Sequence, residues 1–222
     1  MQRKKIKCRA VFFDLWDTLL LSKRVTVITQ ELMGLQSYGF HYFIRKFERA
    51  TMTKRFSSFE RFALASFKEF KLKPEKQKVG KIVALWRRHM QNAKLFPETL
   101  SVLRSLKKRG FKLAIVSNCQ DLGIYSVLKR LRLLELFDSV QLSFEIHLLK
   151  PDKRLLERAL KELKLEPREA IMVGDSKTDI LGARNAKMRG ILLDRSTHRK
   201  KYYKAVAVIN NLEELLDLLE VG

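Results

Sequence analysis

Short apolar runs that stop abruptly on polar residues recur along this 222-residue chain, separated by longer stretches whose apolar positions return every three or four residues. Ala10–Phe13 is one such run, too brief for a buried helix, and it predicts a fully buried parallel strand. Residues 112–116 and 171–173 have the same character, and 139–144, 189–193 and 205–209 complete the predicted strands. Helical periodicity falls at 98–108, 121–131, 152–163 and 178–186, and Asn211-Leu212-Glu213-Glu214 opens a terminal helix. Strand and helix in alternation predict an α/β fold, a Rossmann-like parallel sheet with helices on both faces.

Between the first strand and the next, about a hundred residues intervene, far more than a simple crossover needs. That span has no strand pattern. Residues 25–49 are helical in pattern, with breaks offered at Gly34 and Gly39. Ser57 with Glu60 reads as a capping box ahead of Phe59, Phe62, Ala63 and Phe67, which share one helical face. Pro74 opens a further helix towards Met90, carrying Val79, Ile82, Val83 and Trp86, and Pro97-Glu98 resumes the main domain. The expected organisation is therefore a sheet domain from residues 1–21 and 96–222, with residues 22–95 as an all-helical insertion. Tyr38, Phe40, Tyr42, Phe43 and Phe47 are spaced as the core of such a bundle rather than as a base-stacking surface.

Composition narrows the class. Hydrophobic residues make up 46% of the chain, which excludes disorder. Two cysteines, Cys8 and Cys119, exclude a disulfide framework and fit a reducing compartment, and with no histidine base nearby Cys119 reads as a packing residue. The basic start, Met1 to Lys7, is followed by an apolar run that Asp14 and Asp17 interrupt, against a secretory signal, and no stretch has the length of a membrane span. A soluble, cytoplasmic protein is expected. Its net charge of +22 would attract polyanions, but Lys and Arg are interspersed with Glu rather than gathered in a block, so nucleic acid is the less favoured partner. Residues 22–95 hold 17 Lys and Arg against 5 Glu, the larger share of the charge on the shorter part of the chain. Positive charge facing a site would concentrate an anionic substrate.

The chemistry sits where the apolar runs end. Ala10–Phe13 stops on Asp14, with Asp17 and Thr18 after it; 112–116 stops on Ser117-Asn118; 171–173 stops on Gly174-Asp175, with Asp179 four residues on; and Lys150-Pro151 follows the 139–144 run. Open parallel sheets bind ligands at the carboxyl ends of their strands. Two carboxylate pairs, a hydroxyl and a lysine converging on one edge suit a phosphate-like group and a divalent cation, because unpaired carboxylates are costly beside a core.

With these residues in this order, the chain resembles the haloacid dehalogenase superfamily over nearly its whole length. Asp14 with Thr18 matches the first motif of that family, Ser117 the second, Lys150 the third, and Gly174-Asp175 with Asp179 the fourth. The resemblance implies a magnesium-dependent phosphatase acting on a small phosphorylated metabolite, with Asp14 as the nucleophile that forms an aspartyl-phosphate. It implies further that Asp14, Asp175, the carbonyl of Trp16 and Asp179 serve Mg²⁺. Ser117, Asn118 and Lys150 would hold the phosphate, Thr18 would steady the loop, and residues 22–95 would form a mobile cap. The match departs at one place: family phosphatases carry an Asp two residues after the nucleophile as general acid and base, and this chain has Trp16. Asp17 is the substitute one residue along, although its position favours a structural role in the turn. Family dehalogenases also lack that Asp, which keeps a 2-haloacid dehalogenase as the alternative, beside a weakly catalytic basic binding module. Gly174-Asp175 and Asp179 favour the metal-dependent phosphatase.

Overall fold

The computed structural model of the chain describes residues 5–22, 24–196 and 203–222; residues 1–4, most of the basic start, lie outside them. In chain order the elements are β1 (Ile6–Cys8), β2 (Ala10–Phe13), helices α1 (Val25–Leu32), α2 (Phe40–Thr51), α3 (Phe59–Glu69), α4 (Lys76–Gln91) and α5 (Thr99–Lys108), then β3 (Lys112–Ser117), α6 (Ile124–Arg130), β4 (Ser139–Leu142), α7 (Ser143–Ile146), α8 (Arg154–Leu163), β5 (Ala170–Gly174), α9 (Lys177–Asn185), β6 (Arg189–Leu193), β7 (Ala207–Ile209), α10 (Glu214–Leu218) and β8 (Leu219–Val221). Six strands form one sheet in the order β4-β3-β2-β5-β6-β7, and every pairing within it is parallel.

The sheet obeys the period of two that buried strands require. Val11, Phe13, Leu113, Ile115, Ile171 and Val173 share one core with residues of α5, α6 and α10, such as Leu106, Leu128 and Leu215. Their sequence neighbours Ala10, Phe12, Ala114, Val116, Ala170 and Met172 share the other core, with Leu155, Leu156 and Ala159 of α8 and Ala183 of α9. Helices thus cover both faces, and the strands read as unbroken apolar runs because both faces are buried.

The order of strands fixes where a ligand can sit. From β2 the chain goes outward to β3 and β4 on one side, then returns to β5 on the other. Crossovers on either side of β2 diverge at the carboxyl ends of β2, β3 and β5 and open a crevice there.

Helices α1–α4 occupy the long span after β2 and have a core of their own, in which Phe43, Phe47, Phe62, Phe67, Ile82 and Trp86 are fully or almost fully buried. Phe47 stacks on Trp86 at 5.7 Å, and Phe62 meets the same indole at 4.9 Å. Three aromatics of the predicted cluster, Tyr38, Phe40 and Tyr42, are instead exposed on its rim.

Several expected boundaries shift for physical reasons. The N-cap of α3 is Ser58, whose hydroxyl accepts from the Arg61 backbone N–H, and not Ser57. The strand expected over 139–144 ends at Leu142; its last two residues turn into α7, where the Ser143 hydroxyl accepts from Cys119 N–H. The short parallel pair β1–β8, absent from the sequence reading, joins Ile6–Cys8 to Leu219–Val221. Among the described residues, no helix is long and apolar enough to cross a membrane.

Candidate active site

Asp14 is the first residue beyond β2, and its backbone N–H donates to Val173 O of β5 at 3.0 Å, which holds the side chain over the crevice. Lys150 reaches the same point from the loop before α8. Its buried ammonium donates to Asp14 Oδ1 at 2.6 Å, to Asp179 Oδ1 at 2.6 Å and to the Val116 carbonyl at 2.8 Å. Burial works against the Lys150 charge, but Asp14 and Asp179 outweigh it and hold its pKa above the ordinary lysine range. Burial likewise pushes the Asp14 carboxyl up to about 6, and the like charge of Asp179 adds to the rise while Lys150 opposes it.

Asp179 lies in the first turn of α9 and is fully buried. Its second oxygen accepts from Ser176 N–H at 3.0 Å and from Ser176 Oγ at 2.6 Å, so one carboxylate both closes the capping box of α9 and orients Lys150. This approach requires Gly174. A Cβ at that position would stand 2.3 Å from Asp179 Cγ, too close for any side chain.

Among the described residues, Asp14, Asp175 and Asp179 form a group that could hold a metal ion, with carboxylate oxygens within 4.8 Å of one another. The Lys150 ammonium pairs with two of these three carboxylates, Asp14 and Asp179, in a largely buried place. A divalent, oxygen-seeking cation such as Mg²⁺ fits that donor set. When bound, it would neutralise phosphate oxygens during phosphoryl transfer.

Ser117 is buried at the end of β3, where its hydroxyl makes a long 3.5 Å contact to Asn118 O. The Asn118 side chain is committed elsewhere: Oδ1 accepts from Lys150 N–H at 2.8 Å, and Nδ2 donates to Glu48 Oε2 of α2 at 3.2 Å. Thr18 is fully buried; its carbonyl accepts from Arg195 at 3.1 Å, and its hydroxyl has no hydrogen-bond partner among the described residues.

Asp17 and Trp16 resolve differently from the rest. Asp17 is exposed, in the left-handed backbone region (φ 58°), and its carboxylate accepts from Ser22 N–H, so it stands in the turn and outside the Asp14–Lys150–Asp179 group. The Trp16 indole is half-buried and packs on His89 of α4, with ring centroids 4.3 Å apart. The position that would carry a carboxylate therefore braces the helical insertion.

The family model for haloacid dehalogenase-like hydrolases matches residues 11–193, most of the chain and every candidate site residue the sequence points to. The chain belongs to this family. Among curated relatives, a glyceraldehyde 3-phosphate phosphatase of Methanothermobacter thermautotrophicus is 35% identical over 131 residues, covering 56% of this chain and only 58% of that protein. The pyrophosphatase PpaX of Bacillus mycoides is 27% identical and covers 96% of this chain and 98% of its own. A crystal structure of a phosphatase from Thermococcus onnurineus superposes with a TM-score of 0.64 at 26% identity, covering 93% of this chain and 95% of that one. A dehalogenase structure superposes with a TM-score of 0.71 at 20% identity, which speaks to the shared fold alone.

One residue at the crevice escaped the sequence reading. Glu48 of α2 is half-buried, bonded by Asn118, and close enough to Lys150, Asp14 and Asp179 to feel their charges. Burial pushes its carboxyl up to about 7, against the Asn118 hydrogen bond and the attraction of Lys150. The faint signal available was an acidic residue directly after Phe47, on the flank of a buried helical face in a strongly basic segment.

Proposed function

We propose that this chain is a Mg²⁺-dependent phosphatase that hydrolyses the phosphate monoester of a small metabolite through an aspartyl-phosphate on Asp14. The observation that carries the reading is the buried Lys150 ammonium bonded to both Asp14 and Asp179 beside Asp175, three carboxylates whose oxygens lie within 4.8 Å of one another. Asp14 is the nucleophile: its carboxylate attacks phosphorus in line with the leaving oxygen. Asp14 and Asp175 would hold the metal, with the Trp16 carbonyl as a further ligand. Asp179, bonded by Ser176 and Lys150, acts by orienting them. Lys150 restrains the repulsion between Asp14 and the incoming phosphate, and the Ser117 hydroxyl with the backbone N–H at Asn118 donates to the remaining phosphate oxygens. Residues 22–95 act as a cap over the crevice. Phosphatase and pyrophosphatase names among the relatives support hydrolysis of a phosphate ester or anhydride.

An aromatic residue at position 16 favours one second reading, a 2-haloacid dehalogenase. Dehalogenation needs no metal, and the three-carboxylate group would then be a cost without a use. The deciding assay follows phosphate release from an aryl phosphate and chloride release from a 2-haloacid, each with Mg²⁺ and with EDTA. Phosphate release that EDTA abolishes and Mg²⁺ restores is expected. Chloride release, or full activity in chelator, would overturn the assignment.

A further inference from the structure

On the reading of the site as a phosphatase, we infer that Glu48, reaching the crevice from α2, is the general acid and base of the reaction, in place of the carboxylate that Trp16 displaces. Phosphoryl transfer to and from Asp14 moves two protons, one onto the leaving oxygen and one off the attacking water. Something near Asp14 must carry both. The β2–α1 loop cannot supply it. Trp16 has no titrating group and packs on His89, while Asp17 is exposed and tied to Ser22 N–H. Lys150 is bonded to two carboxylates and a carbonyl, which fixes it as a cation.

Glu48 meets the requirements that these residues fail. Its Oε2 accepts from Asn118 Nδ2, and Asn118 Oδ1 in turn accepts from the backbone N–H of Lys150. One amide therefore fixes the Glu48 carboxyl relative to the lysine that grips Asp14. Its Oε1 has no hydrogen-bond partner among the described residues and remains available to a substrate oxygen or a water. Four groups from four other parts of the fold act on it. Asn118 after β3 and Lys150 before α8 favour its ionised form; Asp14 after β2 and Asp179 of α9 favour its protonated form. Burial tips the balance towards a carboxyl that exchanges its proton near neutrality, where a general acid that must later act as a base is most effective.

The steps balance. As Asp14 forms its bond to phosphorus, the bond to the leaving oxygen breaks and the Glu48 carboxyl gives that oxygen its proton, releasing an alcohol. The Glu48 carboxylate then takes a proton from water as the water oxygen bonds to phosphorus. The aspartyl–phosphate bond breaks, and free Asp14, inorganic phosphate and protonated Glu48 return.

The test is Glu48→Gln, which keeps the shape and an oxygen for Asn118 but cannot titrate, read with Mg²⁺ against an alkyl and an aryl phosphate. An alkoxide needs the proton and a nitrophenolate does not. The expected result is a fall in kcat of about 10²–10⁴-fold for the alkyl ester. For the aryl ester, a burst of one phenolate per enzyme should precede slow turnover, because the intermediate forms but lacks its base. The native decline of kcat/KM as pH rises through about 7 should disappear for the alkyl ester. Equal losses on both esters without a burst, or a rise in KM with kcat unchanged, would make Glu48 a positioning or binding residue and overturn the inference. Thermal melting identifies a folding defect, in which case Glu48→Asp, which restores a carboxyl, must recover alkyl turnover for the inference to stand. Wild-type enzyme without Mg²⁺-dependent phosphate release would fail the phosphatase reading itself, a result read before any variant is made.

Discussion

On the sheet side of the crevice, Asp14, Lys150 and Asp179 are locked by charged hydrogen bonds of 2.6 Å inside a wall of fully buried strands. On the insertion side, Glu48 of α2 reaches the same place through Asn118, and His89 of α4 packs on Trp16, from helices whose aromatic core is largely their own. Beside the Asn118–Glu48 bond, the Trp16–His89 packing and the bonds from Arg130 to Met90 O and Ala93 O, one strip of the insertion makes several contacts to the sheet side. The Ser143 hydroxyl donates to Met52 O, Phe56 N–H donates to Asp121 at 2.9 Å, His147 pairs with Thr53 O at 2.7 Å, and Arg55 meets Glu145 at 3.2 Å. All four contacts involve residues 52–56, the strip between α2 and α3. The contrast separates two tasks. The charged centre sits on the sheet, whereas Glu48, the proposed acid and base, sits on a helix whose aromatic core is largely that of the insertion. On the proposed reading, such a unit would open for substrate while the charged centre stays assembled.

Removing the link at the centre of the sheet side gives the largest effect. Lys150→Met leaves two buried carboxylates facing each other without their cation, a change of about 3–5 kcal/mol in stability. Its melting temperature should drop sharply and recover in part with added Mg²⁺, and turnover should fall by at least about 10²-fold. A variant as stable and active as wild type would mean that the 2.6 Å bonds are not what holds the centre.

Loosening the insertion should do less, and differently. Ser143→Ala removes the hydroxyl that bonds Met52 O, Cys119 O and Cys119 N–H, so about 1 kcal/mol of docking free energy is lost. The expected result is a decrease of about fivefold in kcat/KM, with Mg²⁺ affinity unchanged, since the carboxylates stay on the sheet. A large change in Mg²⁺ affinity would show that the two sides are not separable.

The smallest effect concerns charge. The insertion carries 17 Lys and Arg against 5 Glu, and Arg45, Lys46 and Arg49 line a cavity of about 300 Å³ on α2, the helix of Glu48. For anionic substrates, kcat/KM should fall a few-fold from low to physiological ionic strength while kcat holds steady. Flat behaviour in both would mark this charge as solvent-facing surface without a steering role.

The contrast also explains what the sequence discloses. Strands buried on both faces announce themselves as unbroken apolar runs, and their ends carry Asp14, Ser117 and Gly174-Asp175 directly, so the sheet side is legible residue by residue. Strands β1 and β8 are three residues each and pair only with each other, from opposite ends of the chain, which no local pattern records. Glu48 is hidden for a related reason: its meaning arises only when α2 docks against Asn118 and Lys150, respectively 70 and 102 positions away. The Trp16 substitution is visible as a departure, but its physical role depends on His89, which comes from the far end of α4.

The central claim is that Asp14 forms a covalent phosphoryl intermediate, and acid-quenched mass spectrometry tests it most directly. Enzyme mixed with an aryl phosphate and Mg²⁺ should carry one phosphoryl group on the peptide containing Asp14, absent with EDTA and absent in Asp14→Asn, whose turnover should fall at least about 10⁴-fold. Phosphate release at full rate from Asp14→Asn, or turnover by the wild type with no phosphoryl group at Asp14, would contradict the account.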